Sequence, residues 1–190
     1  MNDNTPQTLA DRLAIEDVLA RYCRGIDRCD AAELANVFTK DARIDYGDGP
    51  KPPDETIAGL MGGLSAMKLT QHNIGNVICR IEGPRAMVET YCVAVHILPR
   101  GNDLGDGVTM PDIEMVVGGR YLDTLIKQDG KWRIAERLYI MDWNRQGPAT
   151  MEQSGGLYDT LRRRGTRKPD DPSYDWWERG FPEAANQGRI

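Results

Sequence analysis

Histidine is scarce in this chain: its 190 residues include only two, His72 and His96. Two scattered histidines make a poor metal site, and Asp103, Asp106 and Asp112 lack the spacing of a calcium loop, so no metal is expected. The four cysteines (Cys23, Cys29, Cys79, Cys92) form no C-x-x-C pair and lie inside periodic segments. That is the usage of inert core thiols in a reduced, cytoplasmic protein. No apolar run approaches the roughly 20 residues a membrane span needs. The opening "MNDNTPQTLADRLA" has neither the basic flank nor the apolar stretch of an export signal. A Gly-rich phosphate loop, βαβ alternation and a nucleophile elbow around Ser65 or Ser154 are all missing, which disfavours dinucleotide-binding folds. Positive charge is short as well. A net charge of −5 argues against nucleic acid as a partner, and the basic run "LRRRGTRK" is followed at once by Asp170 and Asp171, as in a solvated helix end.

What is present reads as a globular domain: 40% of residues are apolar and 28% charged. Ile15, Val18, Leu19, Tyr22 and Ile26 recur at helical spacing, with Thr8 as a cap and Asp11 suited to the first turn. "DAAELANVF" opens on a capping aspartate and predicts a second, shorter helix; "TIAGLMGGLSAM" predicts a third, weakened by its glycines. Between them "ARIDYGDG" is a brief β-leaning segment. From Thr70 to Trp143 the period changes to two. Strands are expected over 70–82, 85–98, 113–127 and 131–143, the last two joined by an Asp129-Gly130 hairpin turn. Helices followed by consecutive antiparallel strands predict an α+β domain with helices on one face of a curved sheet, over residues 1–145. Residues 146–190 form a C-terminal extension, linker-like at first, with a short helix over 157–164 and a turn-rich aromatic segment after it. Trp176 and Trp177 lead us to expect this extension to pack on the domain or on a neighbouring subunit.

Two places invite chemistry. "TQHNIGN" puts His72 at the start of an otherwise core-like strand, among Gln71, Asn73 and Asn76. In the following strand Val88, Thr90, Cys92 and Ala94 share a face with His96, and a face of small residues around one imidazole leaves room for a cavity. Gly118 and Gly119 leave room in the same way or mark a bulge. Asp27 closes the first helix on the stripe of Tyr22 and Ile26, facing the sheet. A buried carboxylate beside His72 fixes the tautomer, stabilises the imidazolium, and leaves the other ring nitrogen as a base.

In order along the chain, Y-x-x-x-x-D in the first helix, "RIDY", "TQHNIG" and "DGKW" resemble the SnoaL-like branch of the nuclear-transport-factor-2-like superfamily. The local likeness is to scytalone dehydratase and related cofactor-independent lyases, and it runs from about Thr8 to Trp143. It implies a cone-shaped, curved antiparallel (mixed) sheet with about three N-terminal helices enclosing a pocket. It implies Asp27 and His72 as the catalytic acid–base dyad, with Tyr22, Tyr46, His96 and Arg137 binding substrate. Of these, Tyr46 would hold a carbonyl and Arg137 would lie near the leaving group. Ile26 before the aspartate, and Gly119 and Tyr121 where scytalone dehydratase has polar groups, make scytalone itself an unsuitable substrate. Arg120 between them reads as a surface or interface residue. The implied activity is elimination of water, or formaldehyde-releasing carbon–carbon cleavage, on a small hydroxylated aromatic or polycyclic compound, with no cofactor. A homotrimer or homodimer is implied, and Met87, Tyr91, Val93 and Val95 on the outer sheet face are apolar enough to need such cover. The rival reading is a non-catalytic binding or assembly module, or the β subunit of an aromatic-ring dioxygenase, for which an Asp27/His72 pair has no use.

Overall fold

The computed structural model describes residues 5–100 and 111–181 and divides after Thr150 into two compact units. The first unit holds helices α1 (Pro6–Asp27), α2 (Ala31–Val37) and α3 (Pro53–Ser65). Its strands are β1 (Phe38–Asp45), β2 (Leu69–Glu82), β3 (Arg85–Leu98), β4 (Ile113–Gln128) and β5 (Lys131–Pro148). They form one sheet in the order β1-β5-β4-β3-β2, antiparallel except for the parallel β1/β5 pair. This is the α+β architecture expected, a mixed curved sheet with the helices against one face. None of the helices among the described residues is long and apolar enough to cross a membrane.

Bulges give the sheet its curvature. The ladder shifts between Ile74 and Val77 in β2, and twice along β4/β5, at Gly118/Gly119 and Thr124/Leu125. Each added residue bends its strand and strengthens the local twist. Gly118 and Gly119 therefore mark a bulge, but they leave no empty space. A Cβ on Gly118 would stand 2.1 Å from the Trp143 ring, and one on Gly119 would stand 2.4 Å from the Ile140 carbonyl and 2.9 Å from the Tyr139 ring.

Along α1 the apolar stripe Ile15, Leu19, Tyr22 and Ile26 is buried against the sheet, where Leu125 and Ile134 are fully enclosed. Each such aliphatic side chain contributes about 1.5–3 kcal/mol by leaving water. The helix begins earlier than its apolar pattern suggests. Thr5, not Thr8, is the cap: its hydroxyl accepts from the Thr8 N–H at 3.1 Å, and Pro6 occupies the first turn, where a missing N–H costs nothing. Asp11 does not ride in solvent near the helix start. It is buried and accepts from the Trp132 indole at 2.9 Å and Lys127 Nζ at 2.6 Å, bracing α1 to the β4–β5 hairpin. Burial raises its pKa, but these donors outweigh that and hold it below the ordinary carboxylate value.

At the other end of α1, Cys29 adopts φ 51° and the Asp30 N–H reaches back to the Gly25 carbonyl at 2.8 Å. This left-handed stop turns the chain directly into α2, capped by Asp30. It leaves Asp27 as the last helical residue, pointing inward. β5 continues past Trp143 to Pro148 because residues 113–117 of β4 would otherwise present an unpaired ladder edge. Asp103 and Asp106 lie outside the described residues; Asp112 pairs with Lys68 at 2.6 Å.

The second unit differs from expectation. Residues 157–164 do not form an α-helix; a 3₁₀ turn spans Gly156–Thr160 instead. The segment read as turn-rich contains helix α4 (Pro172–Arg179), started by Asp171, whose carboxylate accepts from the Ser173 N–H at 3.0 Å. An aspartate followed by proline is a helix-start signal that the sequence does carry. Trp176 and Trp177 meet edge to face at 4.8 Å.

Candidate active site

The inward faces of α1, α3, β2, β3, β4 and β5 enclose a cavity of about 320 Å³. That volume lies at the lower end of the roughly 300–1,000 Å³ typical of small-molecule sites. Tyr22, Tyr46, Tyr121 and Tyr139 form one wall, and His72 and His96 stand on another. Ile26, Leu60, Leu64, Met115, Val117 and Met141 supply the apolar remainder, beside Cys92 and Ala94. Among the described residues, no lining side chain is an aspartate, glutamate, lysine or arginine.

Asp27 and His72 are brought together across 45 residues of chain. The Asp27 carboxylate contacts His72 Nδ1 at 2.7 Å through one oxygen and accepts the His72 backbone N–H at 2.9 Å through the other. One carboxylate thus fixes both the main chain and the ring of the histidine. With a carboxylate at Nδ1, the proton of the neutral imidazole sits on Nδ1 and Nε2 keeps its lone pair. Both side chains are about nine-tenths buried, so the pair is poorly screened by water. A carboxylate at a helix C-terminus opposes the helix dipole, at a cost of about 0.3–1 kcal/mol, which the two bonds from His72 offset. Asp27 itself stands behind His72 and outside the cavity wall. His96 lies on the wall, edge to face with His72 at a ring separation of 5.3 Å. Its partners on the same face of β3, Cys92 and Ala94, line the cavity as the alternation predicts.

Tyr22 and Tyr46 join their hydroxyls in a short hydrogen bond. Burial raises the pKa of Tyr22 well above the ordinary phenol value, with Tyr46 adding to the rise and the Arg137 charge opposing it. Tyr46 is raised too, by burial, again against Arg137. Both are neutral donors at physiological pH.

Arg137 lies near the site but not in reach of a substrate, although the resemblance implies that it should be. It faces inward but does not line the cavity. Its guanidinium is fully buried between the rings of Tyr22 and Tyr121, 4.0 and 4.1 Å from their centroids. Nε and Nη2 each donate to Asp123 at 2.7 Å. Burial alone would lower its pKa, but the Asp123 carboxylate outweighs that and holds it well above the ordinary value. The cavity is lined by tyrosine, not by arginine.

Arg120 lies on the opposite face of the sheet, where it bridges Asp142 at 2.9 Å and Glu89 at 3.1 Å. Tyr121 and Tyr139, which face each other across β4 and β5, were not expected in the site. The thiols are poor nucleophiles here: burial pushes Cys23 up to about 12 and raises Cys92 as well.

Residues 7–138 match a family model described as a SnoaL-like domain. An uncharacterised protein of Mycobacterium tuberculosis is 27% identical over 136 residues, covering 68% of this chain and 84% of the relative. Among solved structures, a scytalone dehydratase-like protein of Novosphingobium aromaticivorans has a TM-score of 0.62 at 20% identity, covering 79% of this chain and 95% of that one. A hexachlorocyclohexane dehydrochlorinase of Novosphingobium barchaimii has a TM-score of 0.63 at 18% identity, covering 78% and 97%. At these identities the structural likeness establishes the shared fold.

Proposed function

The chain belongs to the SnoaL-like domain family, and from that premise we propose that it is a cofactor-independent lyase acting on a small hydroxylated aromatic or polycyclic compound. The observation that carries this reading is the 2.7 Å contact of Asp27 with His72 Nδ1 on the wall of an otherwise uncharged cavity. A scaffold or assembly module gains nothing from a buried carboxylate that aims an imidazole into empty space. Relatives of this fold that are named for dehydration and dehydrochlorination agree with a proton-transfer elimination.

In the proposed reaction His72 Nε2 removes a proton from a carbon next to a carbonyl. Asp27 stabilises the imidazolium that forms. The electron pair moves onto the carbonyl oxygen, where Tyr46, itself bonded to Tyr22, donates a hydrogen bond to the developing charge. Collapse of that enolate expels hydroxide from the neighbouring carbon. The hydroxide takes its proton from the His72 imidazolium and leaves as water, with His96 on the same wall to hold it. The formaldehyde-releasing variant uses the same base on a primary alcohol: His72 takes the O–H proton, the C–C bond breaks as formaldehyde departs, and the electron pair of that bond forms a C=C as hydroxide leaves the next carbon, taking its proton from the His72 imidazolium.

The test is turnover of a panel of hydroxylated one- and two-ring compounds, with loss of water or formaldehyde followed by mass spectrometry. Activity on at least one compound, lost in His72→Ala with the fold intact by circular dichroism, is the expected result. Equal turnover by His72→Ala, or none by the wild type across the panel, rejects the proposal.

A further inference from the structure

The fully buried Arg137–Asp123 pair is an unusual investment for a site that touches neither residue. Removing two charges from water costs several kcal/mol per ion, and an apolar pair of similar volume is often equally stable. The geometry suggests a use. Asp123 holds only Nε and Nη2 of the guanidinium. The third arm, Nη1, is buried and makes no full hydrogen bond among the described residues. Burial raises the Tyr46 pKa and the Arg137 charge opposes that rise, while Tyr46 is bonded to Tyr22, whose ring lies against the guanidinium. Two ring faces therefore connect this cation to tyrosines of the cavity wall, and one of its arms is left without an acceptor.

We propose that Arg137 is a positioning residue that acts through Tyr22, Tyr46 and Tyr121, giving an uncharged cavity one corner that favours an ionised substrate oxygen over a neutral one. When negative charge develops on an oxygen held by Tyr46, that hydroxyl turns its proton toward the substrate. Its own oxygen can then accept from Tyr22 and from Nη1, which has no acceptor until then. The charge is thus relayed to a cation that the substrate never touches. Solvent cannot neutralise the corner, and because it carries no exposed charge it does not attract anions indiscriminately. The role of this corner in catalysis rests on the lyase reading; its preference for an anion does not.

The probe is 4-nitrophenol, whose phenol and phenolate forms differ in colour. Its apparent pKa when bound is read by titrating absorbance against pH with protein in excess. The wild type is expected to bind it with a pKa below that of the free probe. The double variant Arg137→Met/Asp123→Leu removes both charges together and leaves no buried ion unpaired. It is expected to raise the bound pKa by about 1–3 units, the usual effect of losing a neighbouring opposite charge, which is a 10- to 1000-fold change in the phenolate-to-phenol ratio. The near-isosteric Asp123→Asn keeps the arginine and removes its counter-charge. It should lower the bound pKa further, a direction that mere structural damage would not produce. Tyr46→Phe should abolish the preference.

Binding of the neutral phenol by the wild type overturns the proposal. So does phenolate binding that persists in the double variant, a shift of Asp123→Asn in the same direction as the double variant, or a wild type that does not bind the probe. Phenolate binding without turnover of any compound would instead reject the lyase reading and leave this one standing. Turnover with a neutral bound probe would do the reverse.

Discussion

Asp27→Asn tests the pair directly, because its consequence follows from which atoms donate. Asp27 accepts twice from one residue, at 2.9 Å from the His72 backbone N–H and at 2.7 Å from Nδ1. Asparagine has one oxygen to offer. The backbone N–H can only donate, so the amide oxygen must face it, and the amide NH₂ then faces Nδ1. That contact is favourable only if Nδ1 becomes the acceptor and the imidazole proton moves to Nε2. The variant keeps its shape but turns the base into its wrong tautomer, with the proton on the nitrogen that should receive one. Turnover should fall by a factor on the order of 10² to 10⁴. The stability change is smaller. One charge-assisted bond of about 1.5–3 kcal/mol is exchanged for a neutral one of about 0.5–1.5 kcal/mol, a net loss of about 1–2 kcal/mol. For a chain of this size that lowers Tm by about 2–8 °C.

Nitrogen-15 NMR of the imidazoles reads the tautomer, and with only two histidines in the chain a His96→Gln control completes the assignment. The double variant Asp27→Asn/His72→Ala should be little slower than His72→Ala, since an orienter is irrelevant once the base is gone. Nδ1 still protonated in Asp27→Asn, or losses that multiply in the double variant, would refute the reasoning.

Other outcomes are equally specific. Tyr22, Tyr46 and Tyr121 all have pKa values raised by burial. Their contribution to stability is whole below the unfolded phenol value of about 10 and is lost as pH rises from there through the folded values. Denaturant midpoints should therefore be level up to that pH and fall beyond it. Fewer than the seven tyrosines should ionise before unfolding, and seven ionising together near the ordinary value in folded protein would contradict this. Gly119→Ala forces a Cβ to 2.4 Å from a backbone carbonyl and 2.9 Å from Tyr139, so it should cost about 1–3 kcal/mol in urea unfolding and weaken ligand binding as Tyr139 is pushed into the cavity; unchanged stability would mean that the bulge yields easily. The outer sheet face leaves Met87 66%, Tyr91 42%, Val93 41% and Trp143 48% exposed. We expect it to be covered by other copies in a homotrimer or homodimer, which Val93→Asp should dissociate; a monodisperse monomer by light scattering at micromolar concentration would reject this.

The parts of the site that were legible in the sequence are those where periodicity runs unbroken. Thr90, Cys92, Ala94 and His96 share a face because β3 is regular from Arg85 to Leu98, and simple alternation finds that face. Tyr22, Ile26 and Asp27 follow from the stripe of one long helix. Alternation fails on β5 for a definite reason. Counting back from the Asp129-Gly130 turn pairs Gln128 with Lys131 and Leu125 with Ile134. Continued without interruption, that register sets Tyr121 opposite Leu138 and turns Arg137 outward. The shift after Leu125 sets Tyr121 opposite Tyr139 and Asp123 opposite Arg137, and so brings Arg137 and Tyr139 inward beside Asp123 and Tyr121, which face inward in either register. A one-residue slip exchanges the faces of a strand, and nothing in "KWRIAERLY" announces the slip. Resemblance located Arg137 near the site. Only the register explains why it lies beneath the tyrosines and why Tyr139 is in the wall.

That same slip accounts for the division of charge around the cavity. Asp27–His72 and Asp123–Arg137 each set a buried carboxylate against a nitrogen side chain at this end of the sheet, yet they suit opposite tasks. The histidine of the first pair lines the cavity, where its ring can take up and return a proton during a reaction. The second is sealed behind aromatic rings, and its cation cannot lose a proton at any physiological pH, so it supplies a constant field. Exchanging them would disable both: an arginine in the wall could not serve as a base, and a histidine under the rings would discharge when burial pushed its pKa down. A proton carrier in the wall and a fixed charge behind it would serve the proposed elimination through an oxyanion, and β5 can hold the second only because its bulge turns Arg137 inward.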